Sequence, residues 1–250
     1  MKSRLLVGGF VLLLVAGLVL GYLFMESESR LRVSAASSLS AVIEERLAGA
    51  GMLSEVVFKT AGSQEVARQI MAGEDVDVVA LAHPDWMEEL EKNGFVSSDQ
   101  RHVFLSNRLV VIASKTIEPP VKNWEEFKEY SGRLATGTVE YVPAGIYARQ
   151  ALKSAGLWEK MAENNVGFSN VSFVLRAIES GHIPLGIVYR SDLKRSDGVR
   201  RLFDIPLRHT PEITYEIAVM KDSTESQKIF KLLNDQKARE IYLRHGFALP

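Results

Sequence analysis

Tyr141-Val142-Pro143-Ala144-Gly145-Ile146-Tyr147-Ala148-Arg149-Gln150-Ala151-Leu152 is the stretch on which the reading of this chain turns. A strand-like segment, Arg133 to Thr136, leads into it, and Pro143 opens a helix expected to run to about Ala155. Proline suits the first helical position because its missing N–H would have no partner there anyway. The next residues, Ala144, Gly145 and Ile146, present N–H groups with no acceptor inside the helix. Ala and Gly put little bulk in front of those donors, and the positive end of the helix dipole stands behind them, so an anion is welcome there. One such helix start usually just faces water. Others would have to join it.

Others do. Leu31-Arg32-Val33-Ser34 reads as a strand, followed by the turn Ala35-Ala36-Ser37-Ser38. The helix beyond has Leu39, Val42, Ile43 and Leu47 on one face, with Ser37 or Ser38 as its cap. The unit repeats: strand Val56 to Lys59, turn Thr60-Ala61-Gly62, Ser63 as cap, then a helix carrying Val66, Ala67, Ile70 and Met71 until Gly73. Two such units place two helix starts at the carboxyl edge of a parallel sheet, where open α/β sheets bind ligands. Val76 to Leu81 is apolar enough for a central strand, and Pro84 opens a helix to Lys92.

Phe104 to Ala113 is long for a single strand, and Asn123 caps a short helix through Tyr130. A helix from Leu157 to about Glu163 follows, then one capped by Ser169 or Asn170 with Val171, Val174, Leu175 and Ile178 on one face. Leu185 to Tyr189 is a strand that delivers Tyr189 at another carboxyl edge. Ile213 to Met220 reads as a strand returning to the first half. Thr224 caps a helix to about Leu233, and Ala238 to His245 forms the last one.

Composition narrows the function. The chain has 250 residues, 46% apolar and 24% charged, and no cysteine, so disulfides, thiolate metal sites and thiol nucleophiles are excluded. Its five histidines, His83, His102, His182, His209 and His245, lack the helical pair spacing of a metal site. Asp75 and Asp77 read as solvated residues at a strand start. A serine-hydrolase elbow, a P-loop and a dinucleotide-binding glycine motif are all missing. An enzymatic reading has no motif behind it.

Leu5 to Met25 is free of charge and preceded by Lys2 and Arg4, the pattern of a membrane-targeting segment with its basic flank in the cytoplasm. Residues 1–30 are therefore a signal peptide or a membrane anchor. No small-x-small cleavage site precedes Glu26-Ser27-Glu28-Ser29-Arg30, which favours the anchor. Leu31 onward is expected outside the cytoplasm, in the periplasm or at the outer face of the membrane. Without Lys2, Arg4, Arg30, Glu26 and Glu28, 27 basic residues face 29 acidic ones, which argues against a nucleic-acid partner.

Val142-Pro143-Ala144-Gly145-Ile146-Tyr147-Ala148 resembles the signature of the extracytoplasmic molybdate-binding proteins of ABC-type uptake systems. Ala35-Ala36-Ser37-Ser38-Leu39, Ala67 to Gly73, Pro184 to Tyr189 and Tyr242 to Phe247 resemble further segments of that family, in order, from Leu31 almost to the end. The resemblance implies an α/β chain with the two-lobed type II periplasmic-binding-protein fold, each lobe a mostly parallel sheet flanked by helices. The lobes would be residues 31–107 with 216–250, and residues 108–215, the Phe104–Ala113 segment passing between them. It implies a non-enzymatic, monomeric protein without a cofactor, which takes molybdate or tungstate in the cleft and hands it to an ABC permease with its ATPase. Residue by residue, it places ligand donors at Ser38 and Ser63 (hydroxyl and N–H), Ala144 and Val171 (N–H) and Tyr189 (phenol). Another oxyanion such as sulfate or phosphate, or a membrane-tethered oxyanion sensor, would use the same features. Thr138-Val139, Gln64, Ser172 and Arg190 depart from the family pattern and bear on affinity and selectivity rather than on fold.

The anchor reading has a direct check. Mass spectrometry of the native protein is expected to find residues 1–30 retained; a polypeptide beginning near Leu31 would mean a cleaved signal.

Overall fold

The computed structural model describes residues 30–250, so the hydrophobic run Leu5–Met25 lies outside the described residues. Among the described residues, ten strands form two five-stranded sheets. The first holds β1 (Leu31–Ala36), β2 (Val56–Ala61), β3 (Val78–Ala82) and β4 (Arg101–Asn107), interleaved with α1 (Ser40–Gly49), α2 (Ser63–Met71) and α3 (Pro84–Lys92). The second is built from β5 (Leu109–Ser114), β6 (Leu134–Gly137), β7 (Asn165–Phe168), β8 (Leu185–Tyr189) and β9 (Val199–Asp204). Its helices are α4 (Trp124–Glu129), α5 (Pro143–Ser154), α6 (Trp158–Ala162) and α7 (Val171–Glu179). The chain then returns to the first sheet as β10 (Ile213–Val219) and ends in α8 (Thr224–Asn234) and α9 (Gln236–Arg244).

The two sheets share one plan. The orders are β2-β1-β3-β10-β4 and β7-β6-β8-β5-β9. In each, three parallel strands run second-first-third, and an antiparallel strand from across the lobe boundary adds to the third. The parallel strands therefore end on one edge of each sheet, and the edges face each other across the cleft. The central strands are near-continuous apolar runs, Val78-Val79-Ala80-Leu81-Ala82 and Leu109-Val110-Val111-Ile112-Ala113, buried throughout because helices cover both faces.

Several local expectations shift. The long Phe104–Ala113 run splits into β4 and β5 with only Arg108 between them, one strand in each sheet. Strands β7 and β9 have no alternating pattern to reveal them; β7 is fixed by parallel pairing with β6, not by its own residues. Ser38 is not a cap: Ser37–Leu39 is a 3-10 turn, and α1 starts after it with no side-chain cap. Gly62 caps α2, with Ser63 as its first residue, and Ser223 rather than Thr224 caps α8. Asp77 turns inward, where it accepts the Arg32 N–H at 2.7 Å.

Backbone contact fixes the start of α5. A Cβ on Gly145 would stand 2.1 Å from the Gly137 carbonyl oxygen at the end of β6, and one on Gly137 would meet Val142 at 2.5 Å. Helix and strand thus touch backbone to backbone. Direct contacts also join the lobes. Gln64 Nε2 donates to the Ser169 carbonyl at 2.8 Å, and Trp86 Nε1 to that of Tyr141 at 3.2 Å. The His83 ring lies 4.7 Å from that of Tyr147. His83 has φ +77°, the left-handed region that bulky residues rarely adopt, and is buried at the turn from β3 into α3.

Gly145→Ala is expected to lower stability by about 1–3 kcal/mol, the usual cost of overpacking against atoms that cannot yield. A lower urea midpoint at unchanged m-value would report it. Gly49→Ala, with open space at its Cβ, should leave the midpoint unchanged or higher. His83 provides a pH dependence. Burial lowers its imidazole pKa below the ordinary 6.5, against the opposing pull of Asp85 and Glu88. As pH falls through 6.5 the unfolded chain takes up a proton that the folded chain refuses, so stability is lost on the acid side. His83→Asn tolerates the same backbone region and should flatten this loss in melts from pH 7 down to about 5. An unchanged profile would remove His83 from the acid response.

Candidate functional site

All six parallel-strand ends meet at one small cavity of about 20 Å³. After β1 come Ala36, Ser37 and Ser38; after β2, Gly62 and Ser63; β3 contributes Ala82. From the second lobe, the turn after β6 brings Val142, Pro143 and Ala144, the turn after β7 brings Asn170 and Val171, and β8 ends in Tyr189. The five residues expected to hold a ligand, Ser38, Ser63, Ala144, Val171 and Tyr189, thus line the same cavity, and each is buried. The space is that of one small ion or water, not an organic solute.

The lining is rich in donors. Three helices of nine to twelve residues, α2, α5 and α7, begin at its wall. Their first N–H groups have no intrahelical acceptor, and the dipoles add positive potential where they converge. On α7 the Asn170 side chain takes the Phe173 N–H at 3.2 Å and leaves that of Val171 to the cavity. Val142, the residue before α5, makes no side-chain cap. The Ser63 hydroxyl accepts the Ala82 N–H at 3.1 Å, so its own proton is free to point elsewhere. Tyr189 is 1% exposed and its phenol oxygen has no hydrogen-bond partner among the described residues. A buried hydroxyl left so costs about 1–3 kcal/mol unless something completes it. Burial raises the Tyr189 pKa well above its usual value, so the phenol remains a neutral donor.

Formal charge is kept out of the lining and balanced behind it. Arg190, which follows Tyr189, turns to Asp204 at 3.8 Å and does not line the cavity. Asp192 is fully buried; it accepts the Tyr189 N–H at 3.0 Å and the Arg195 guanidinium at 2.9 Å. Burial raises its carboxyl pKa, and Arg195 opposes the shift. The same guanidinium donates to Ser172 on the first turn of α7 at 2.7 Å. Asp192 and Arg195 therefore tie Tyr189 to the helix that carries Val171. Among the described residues no group of His, Asp and Glu is placed to hold a metal cation.

Two residues near the site gave no signal in the sequence. Tyr215 on β10 pairs directly across from Ala82, and its ring is 5.8 Å from that of Tyr189. Asn107, the last residue of β4, donates to the Tyr215 phenol at 3.2 Å and to the Ser191 hydroxyl at 2.9 Å. Both reach the site only because β10 crosses back between β3 and β4.

Comparison with known proteins agrees with this architecture. The molybdate-binding protein ModA of Escherichia coli is 33% identical over 204 residues, covering 78% of this chain and 79% of that protein. The periplasmic molybdate-binding protein of Azotobacter vinelandii superposes with TM-score 0.76 at 21% identity, covering 88% of this chain and all of that one. The sulfate-binding protein SubI of Mycobacterium tuberculosis superposes with TM-score 0.70 at 13% identity over 88% of this chain and 86% of that one. At those identities the two superpositions speak for the fold alone. The family model described as bacterial extracellular solute-binding protein matches residues 31–248. The chain belongs to that family of bacterial extracellular solute-binding proteins.

Proposed function

We propose that this protein binds molybdate or tungstate between its two lobes, outside the cytoplasm, and delivers it as a monomer to an ABC permease driven by an ATPase. One observation carries the reading: neutral donors from five strand ends converge on a cavity sized for one small ion. In it, Ser38 and Ser63 give hydroxyl and N–H groups, Ala144 and Val171 give N–H groups, and Tyr189 gives its phenol. A doubly charged oxyanion is held by many hydrogen bonds that replace its hydration, each donor to an ionised acceptor being worth about 1.5–3 kcal/mol. The helix starts need no counter-charge to do this. The similarity to ModA of Escherichia coli supports the choice of molybdate.

The lobes close on the ligand because each supplies part of the donor set; the return to the first lobe comes at Ile213, where β10 begins, and not at residue 216 as expected from the sequence. Selectivity follows from bond length. Molybdate and tungstate match sulfate in shape and charge but have longer metal–oxygen bonds. Hydrogen bonds weaken steeply away from their best distance, so a cage set for the larger ions leaves sulfate with stretched contacts. Two poorly satisfied donors at about 1–3 kcal/mol each already amount to about a hundredfold.

Calorimetric titration tests this. Molybdate and tungstate are expected to bind nearly alike, with sulfate and phosphate at least about a hundredfold weaker. Ser38→Ala and Tyr189→Phe should each weaken molybdate by about 1–3 kcal/mol, while Arg190→Ala, turned away towards Asp204, should change little. Small-angle scattering should show a smaller radius of gyration with molybdate than without. Sulfate binding as tightly as molybdate would change the ligand; a titration without heat or shift for any oxyanion would end the reading.

A further inference from the structure

We propose that Gln64 is the spacer that sets the width of the cage and so decides which size of oxyanion fits it. The inference rests on the oxyanion reading of the cleft and names the residue that gives that reading its selectivity.

A cage separates ions by bond length only if its walls are held at one distance, and here the walls belong to two lobes. Something has to stop the lobes from closing further on a smaller ion. Gln64, the second residue of α2, is 4% exposed and sits where such a stop belongs. Its amide folds back over Gly62, part of the first lobe's wall. A Cβ on Gly62 would stand 2.5 Å from Gln64 Nε2 and 2.7 Å from its Oε1. On the other side Nε2 donates to the Ser169 carbonyl at 2.8 Å, just before Asn170 and Val171 in the second lobe's wall. One planar amide thus bridges the two walls, packed on one and hydrogen-bonded to the other. Packing against Gly62 resists further closure, and the hydrogen bond resists opening. The fit needs glycine at 62 for space and not for conformation, since φ −63° and ψ 143° suit any residue.

Energetics separates a spacer from a clasp. Gln64 Oε1 is buried with no hydrogen-bond partner among the described residues. An unpaired buried acceptor costs at least as much as one neutral hydrogen bond contributes, so the amide adds little net affinity. What it adds is position. Arg68, one turn further along α2, is the contrast. It is exposed, and its guanidinium lies over the Tyr141 ring of the other lobe, 5.9 Å from the centroid, a contact that joins the lobes at the surface.

Sulfate, selenate and molybdate form a series of equal shape and charge and rising bond length. Calorimetric titration of the full-length protein with each, by displacement of molybdate where direct heats are small, gives the molybdate-over-sulfate ratio. In Gln64→Ala, sulfate is expected to bind about three- to tenfold tighter as the walls approach it, the worth of one regained hydrogen bond. Selenate should gain less and molybdate should change little, so the ratio falls. Gly62→Ala pushes the amide from its seat and should shift the ratio while Gln64 is present. The two changes combined should fall well short of additive, because both act through the same amide. Arg68→Ala should weaken all three ions by one factor and leave the ratio as it is, and thermal melts without ligand check that each variant folds. A ratio unchanged or raised in Gln64→Ala, or full additivity with Gly62→Ala, would overturn the spacer. Wild-type protein that binds none of the three ions would instead overturn the cleft reading beneath it.

Discussion

Buried hydrogen-bond donors that the chain itself leaves incomplete are the constraint around which this molecule is arranged. Three helix starts, two serine hydroxyls and the Tyr189 phenol face one cavity of about 20 Å³. Nothing in the wall is placed to receive them all. A buried donor without an acceptor carries a cost that an acceptor between the lobes would remove. The direct interlobe contacts include Gln64 to Ser169, Trp86 to Tyr141 and Asn107 to Ser191.

The sheets explain how so many donors reach one point. A parallel strand followed by a helix always presents the helix start at the strand's carboxyl end, and three such strands side by side present three turns along one edge. Two sheets of the same plan, facing each other, bring six. Small residues finish the geometry. Gly137 and Gly145 let α5 begin in backbone contact with β6, which puts the Ala144 N–H at the wall with no side chain in the way. A larger residue at either place would move the helix start rather than merely crowd it.

Keeping formal charge out of the wall has a consequence for selectivity. A bare guanidinium would attract any anion, whatever its size or protonation, because Coulomb attraction varies slowly with distance. Hydrogen bonds from fixed groups vary steeply with distance and angle, and so respond to radius. Arg190 is drawn off by Asp204, and Arg195 is matched by the buried Asp192, and neither lines the cavity. Arg195 and Asp192 contribute position: they hold Tyr189 and the first turn of α7 in register.

Much of this was legible from the amino-acid order. Strand–turn–helix units at Ala35–Leu39, Thr60–Ser63 and Val142–Ala144 are local patterns, set by apolar spacing and by proline and small residues at helix starts. Of the five lining residues, Ser38, Ser63 and Ala144 belong to those turns, Val171 opens α7 and Tyr189 ends β8, and it was the family resemblance that named them. The direction of each hydroxyl was not legible. Ser38 looked like a helix cap and proved to sit in a 3-10 turn; Ser63 looked like a cap and instead accepts an N–H from a different strand. Strands β7 and β9 exist because neighbours pair with them, not because of their own residues. Tyr215 and Asn107 lie far apart in sequence and meet where β10 crosses back between β3 and β4. Local sequence determined which groups are offered at the cleft; the long-range pairing of strands decided which of them donate, because a hydrogen bond's direction depends on the partner that tertiary structure brings to it.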